Sequence, residues 1–174
     1  MALATLTRES TVRTPGVVLS SIQVWPHCEE IGKVAKKEYG VSAEQYNALL
    51  PEYQRFMALI IGGHHGLGMF SAAIDQLWHS HILHTHLYED FCLSLHGAFI
   101  HHIPQLIQKA QGQCTVCQSC KGCNAKCENC QGNCKSEAGP GHDSAEYFRA
   151  AYVAAFREEP GKIWNLPMPD GVTA

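Results

Sequence analysis

Between positions 71 and 96 the apolar residues Ile74, Leu77, Trp78, Ile82, Leu87 or Tyr88, Phe91 and Leu95 recur at steps of three and four, the repeat of one face of an α-helix. Strand side chains alternate every second residue, so a stripe of this period cannot turn one face to a core from within a sheet. The stretch predicts a long helix opened by Ser71 and ended near Gly97, and it commits the chain to helix-on-helix packing. Other segments agree. Ile31, Val34 and Ala35 share a helical face before Gly40, which stops that helix. Ser42 and Gln45 have capping-box spacing ahead of Tyr46, Leu49, Leu50, Tyr53, Phe56, Leu59 and Ile60. Pro51 falls inside this pattern and removes one helical hydrogen bond, so a kink or two pieces are expected, with the second helix proper over residues 51–61. A second capping pattern, Asp143 to Glu146, introduces Phe148, Tyr152, Ala155 and Phe156 on a last helix running to Glu158. Strand alternation is sustained nowhere outside residues 17–24. The expected fold is all-α: an arm or edge strand over residues 1–20, then one compact multi-helix domain over 21–174, with an irregular Cys- and Gly-rich insertion at 111–141 near the C-terminal helix.

At 174 residues, 45% hydrophobic and 17% charged, the chain can bury one modest core. A formal charge of −3, with 13 scattered Lys and Arg, gives no electrostatic footprint for nucleic acid. No apolar run approaches the roughly 20 residues of a membrane span, the longest being residues 57–61. The nine cysteines cannot all pair within one chain, and the first twenty residues lack the apolar core of a secretory signal, so reduced thiols and a cytoplasmic location are expected.

The chemistry concentrates in two places. The first lies between Asp75 and His102, which hold seven of the 11 histidines: His79, His81, His84, His86, His96, His101 and His102. Imidazole is the commonest protein ligand for transition metals. On a helix, residues three or four apart are neighbours, whereas residues two apart point to nearly opposite sides. Asp75, His79 and His86 therefore share one side, and His81, Thr85, Tyr88 and Cys92 another. An aspartate one turn before a histidine serves either as a ligand or as the acceptor that fixes the imidazole tautomer. If the chain doubles back at Gly97, His101 or His102 returns to this helix. The candidate metal site is Asp75, His79 and one of that pair, with His81 as a further candidate, Zn or Fe as the ion, and Tyr88 as a nearby catalytic acid or hydrogen-bond donor. His27, His64, His65, His84, His86, His96 and His142 read as solvated side chains, and Trp78 as a core residue whose indole N–H needs one partner.

Three stretches carry a resemblance: Glu52-Tyr53-Gln-Arg-Phe56-Met-Ala-Leu59, Asp75-x-x-Trp78-His79-x-His81-Ile82-Leu83-x-Thr85-x-x-Tyr88, and Gly97-x-Phe99-Ile100-His101-His102-x-Pro104, followed by an aromatic helix closing at Ile163-Trp164. In these the chain resembles the glycine-rich domain-containing protein-like family in its bacterial form, from Glu38 to Pro167. The resemblance implies a helical domain with a glycine- and cysteine-rich insertion after the His-His-x-Pro element. It implies no particular reaction, and the insertion here is richer in cysteine and poorer in glycine than the family's name suggests.

That insertion is the second place. Cys114, Cys117, Cys120, Cys123, Cys127, Cys130 and Cys134 are spaced by two or three residues, and Cys117 to Cys127 match the C-x2-C-x2-C-x3-C run that holds an iron–sulfur cluster in bacterial ferredoxins, with Glu128 where proline is usual. The same regularity suits thiolate ligation of Zn or Cu(I). With small and polar residues between the thiols, the segment has no core of its own, and its order must come from metal, from disulfides, or not at all. Cys28 and Cys92 stand apart as small buried residues. Two functions stay open: a metal-binding protein, enzymatic or not, working through the Asp/His group, or a metal storage or delivery protein that uses the thiolates and docks to a protein partner.

Overall fold

The computed structural model describes residues 13–64, 66–102 and 145–166. Among these are six α-helices, α1 (Pro15–Gln23), α2 (Cys28–Tyr39), α3 (Ala43–Ile61), α4 (Ala72–Leu83), α5 (Thr85–Leu95) and α6 (Ala145–Phe156), then a 3-10 turn at Lys162–Trp164. No strand occurs among the described residues, and no helix there is long and apolar enough to cross a membrane. The all-α expectation holds. The insertion at 111–141, with all seven of its cysteines, and the capping residue Asp143 lie outside the described residues.

Helix α3 is the hub, touching α1, α2, α4 and α6. It starts at a full capping box, in which the Ser42 hydroxyl accepts from the Gln45 N–H while the Gln45 side chain accepts from the Ser42 N–H. It then runs unbroken through Pro51, where a kink or a break is expected from sequence. Pro51 and Asn47, the residue one turn before it, both lie on the exposed side, so the carbonyl that the proline leaves unpaired belongs to an exposed residue rather than to the core. The opposite side buries Tyr46, Leu49, Tyr53, Phe56 and Met57, and at about 1.5–3 kcal/mol for each large apolar side chain that continuous stripe outweighs one lost hydrogen bond.

Two further boundaries differ from the sequence expectation. Residues 15–23 form helix α1 rather than an arm or strand, with Pro15 preset for a first helical turn and Val18 and Ile22 buried one turn apart. Its start abuts the end of α3 so closely that a Cβ on Gly62 would stand 2.7 Å from Pro15 Cγ and 2.9 Å from the Ala58 carbonyl. The long helix expected from Ser71 to His96 is two helices. Ser71 does cap α4, accepting from the Ile74 N–H, but His84 adopts φ −86 and ψ 63 and interrupts the run. No glycine or proline marks the break, and the apolar period continues across it, so periodicity alone carries the helix through. The interruption turns α5 against α1 and the turn that follows it, where Trp25 meets Phe91 edge-on at 5.2 Å.

The core is aromatic at its C-terminal side. Phe56 lies 5.4 Å from Trp78 and 5.7 Å from Trp164, and Phe148 lies 4.6 Å from Trp164. Beneath this cluster the Glu52 carboxylate accepts from the Tyr152 hydroxyl at 2.8 Å, the Trp164 indole at 2.7 Å and the Arg55 guanidinium at 3.1 Å, tying α6 and the 3-10 turn to α3.

Candidate functional site

Asp75 and His79 sit one turn apart on α4, as their spacing predicts, with side chains 31% and 40% exposed. What completes the group comes from beyond α5. The N–H groups of His96 and Gly97 both reach the Cys92 carbonyl, and Gly97 takes φ +85, a left-handed turn suited to glycine. The chain then returns toward α4. Ile100 is buried, and its carbonyl accepts from the Tyr88 hydroxyl at 2.6 Å. Two residues on, His102 Nε2 donates to Asp75 Oδ1 at 2.9 Å, while His79 Nε2 lies 3.8 Å from Asp75 Oδ2. The two imidazoles are 4.6 Å apart at 65°, and the Trp78 ring stands edge-on to His102 at 4.4 Å. One donor atom from each of Asp75, His79 and His102 falls within 4.8 Å of the others. The group is open on the His79 side and closed on the side of His102, which is 13% exposed.

The structure thus brings together Asp75, His79 and one of the two consecutive histidines. The other, His101, is exposed and lies against Phe99 at 5.1 Å. His81 points the opposite way, into the core, as its two-residue offset from His79 dictates. It is fully buried, with Nδ1 2.8 Å from the Tyr53 hydroxyl and the rings of Trp25, Tyr88 and Phe91 about it at 4.9–5.1 Å. Burial, and secondarily the nearby His84, pushes its pKa down to about 3, against a weaker opposing effect of the Leu87 backbone, so this imidazole is neutral. Its Nε2 has no hydrogen-bond partner. The tautomer in which Tyr53 donates to Nδ1 puts the ring proton on Nε2.

Tyr88 is buried, and its hydroxyl is used twice. It donates to Ile100 and accepts from Trp78 Nε1 at 3.0 Å, which supplies the partner that the indole requires. Burial raises its pKa above the ordinary tyrosine value, so the proton stays in place. The neighbouring Cys92 thiol, also raised by burial, lies against both the Ile100 backbone and Tyr88. The Tyr53–His81 pair and the Glu52 network are absent from the sequence reading. Each joins residues whose separation, 28 positions for the first and 100 or more for parts of the second, leaves no local signal.

Fold and site together define an all-α protein that carries a carboxylate and two imidazoles on one helix and the chain segment returning to it. The chain belongs to the UCP032817-like family, whose profile matches residues 20–132. This corrects the likeness to glycine-rich domain-containing proteins. The match takes in residues 20–37, which that likeness omits, and stops short of the aromatic closing helix on which it leaned. Of the stretches that suggested it, Glu52 to Leu59 is mostly buried in α3, whereas of the residues quoted between Asp75 and Tyr88 only Trp78, His81 and Tyr88 are buried. Comparison with curated proteins and with solved structures gives no match.

Proposed function

We propose that Asp75, His79 and His102 bind a divalent transition metal, Zn or Fe, and leave positions open for water or a substrate. The observation that carries this reading is convergence: three potential ligands, from a helix and from the chain returning to it, place donor atoms within 4.8 Å of one another at a partly exposed spot. Two imidazoles and one carboxylate are the protein ligands of many non-haem iron sites, and three nitrogen or oxygen ligands plus a water are the pattern of catalytic zinc. A metal there would act as a Lewis acid toward whatever fills the open position. Tyr88, whose hydroxyl is already engaged, supports the site by position rather than as its acid.

A second reading rests on one distance. The 2.9 Å hydrogen bond from His102 to Asp75 joins the return segment to α4 without any ion, as a purely structural polar tie would. Elemental analysis separates the two. Under the metal reading, protein purified without chelator carries close to one equivalent of Zn or Fe outside the cysteine segment. The double variant His79→Ala, His102→Ala loses it, while deletion of residues 114–134 leaves it in place. Unchanged metal content in the double variant excludes the site. Thiol-bound equivalents that vanish with residues 114–134 would favour storage or delivery.

A further inference from the structure

We infer that the Tyr88 hydroxyl, with Trp78, is a positioning device for the metal centre proposed above, setting the affinity of that centre without touching the ion; the inference rests on that reading. A ligand group made from a helix and a separate return segment binds tightly only if the two are held in register before the ion arrives. One atom does this here. The Tyr88 Oη donates to the carbonyl of Ile100, two residues before His102, and accepts from Nε1 of Trp78, which directly precedes His79 in the α4 turn that also carries Asp75. The Trp78 ring in turn stands edge-on to the His102 imidazole at 4.4 Å. The hydroxyl is therefore bonded on one side to the segment that brings His102 and on the other to the helix that brings Asp75 and His79. Its burial at the bottom of this junction keeps water from substituting for either partner.

The test is a Co(II) titration of the full chain, followed by the visible d–d absorption of Co(II) bound through nitrogen and oxygen. Wild type, Tyr88→Phe and Tyr152→Phe are compared, each with its urea stability. Tyr88→Phe keeps the ring and removes only the hydroxyl. Tyr152→Phe removes a hydroxyl of like connectivity from the Glu52 network, away from the cluster, and serves as the stability control. The expected result is a Co(II) Kd raised about tenfold, with an altered d–d band, in Tyr88→Phe. In Tyr152→Phe the Kd stays within about twofold of wild type, as for independent sites, despite a comparable loss of stability. An unchanged Kd and spectrum in Tyr88→Phe, or an equal weakening in both variants, overturns the inference. Wild type that shows no such band removes the metal reading itself, an outcome visible before any substitution is made. Should Tyr88→Phe not fold, Gly97→Ala takes its place: a side chain at φ +85 strains the same return segment from its exposed end, with the same weakening expected and the same null result overturning the idea.

Discussion

Acidification tests the buried histidine. His81 is neutral in the folded chain, its pKa depressed from 6.5 to about 3 chiefly by burial, whereas in the unfolded chain it titrates at the ordinary value. A depressed folded value means that the unfolded state binds the extra proton first. The stability involved is fully present above pH 6.5 and is lost as pH falls toward 3. At 1.36 kcal/mol per pH unit the complete loss is on the order of 5 kcal/mol, and about 2 kcal/mol of it has gone by pH 5. Against the roughly 5–15 kcal/mol that holds a typical domain, this one ring is a substantial fraction. Urea denaturation at pH 7.5, 6, 5 and 4 measures it when wild type is paired with His81→Phe. The phenyl ring keeps the packing among Trp25, Tyr53, Tyr88 and Phe91 but cannot titrate. The other histidines and the carboxylates cancel in the subtraction. Wild type should lose about 2 kcal/mol more than the variant between pH 7.5 and 5. Parallel pH profiles would refute the assignment of a buried neutral imidazole.

Glu52→Ala takes the acceptor from the Tyr152 hydroxyl and the Trp164 indole, while Arg55 keeps Tyr152 and Glu158, and should cost about 3–5 kcal/mol in chemical denaturation, whereas Glu52→Gln, which can keep its carbonyl oxygen toward Tyr152 and Trp164, should cost less than half as much; equal losses would mean that the carboxylate is not the acceptor that matters. Gly62→Ala forces a methyl against Pro15 and the Ala58 carbonyl and should lower stability by about 1–3 kcal/mol in urea denaturation; a neutral Gly62→Ala contradicts the close approach of α1 to α3. Cys92, fully buried and with its thiol raised by that burial, should resist iodoacetamide at pH 8 in native protein and react in urea, as read by peptide mass spectrometry; native labelling at the rate of a free thiol would contradict its burial.

How much of this was legible in the chain depends on how local each cause is. Ser42 with Gln45, Gly40 at φ 70, Ser71 with Ile74 and the turn at Gly97 are set by neighbours three or four residues away, and each is visible as spacing. The separation of His79 from His81 is legible for the same reason, since helical geometry alone sends one outward and the other into the core. The run through Pro51 and the interruption at His84 are not local. The first depends on what the opposite face of α3 buries, the second on where α5 must lie to meet α1. Choosing His102 over His101 needed the hydroxyl of Tyr88 on Ile100, because adjacent residues in an extended return point to opposite sides and only the register of that return decides which of them meets Asp75. The family likeness rested on short stretches from Glu52 onward, whereas the profile that matches takes in residues 20–132 as a whole.

His102 closes on Asp75 across a separation of only 27 positions, so the whole donor group belongs to one short excursion of the chain, out along α4 and α5 and back. Loop closure over such a span is entropically modest, but α4 packs against α2 and α3 and buries Ile74, Leu77 and Trp78, so the excursion does not open without exposing the core. Whatever binds there is therefore coupled to the stability of the whole fold. Its imprint would be a rise in the global unfolding temperature that grows with ligand concentration, with amide exchange slowed beyond α4, α5 and the return segment as well as within them.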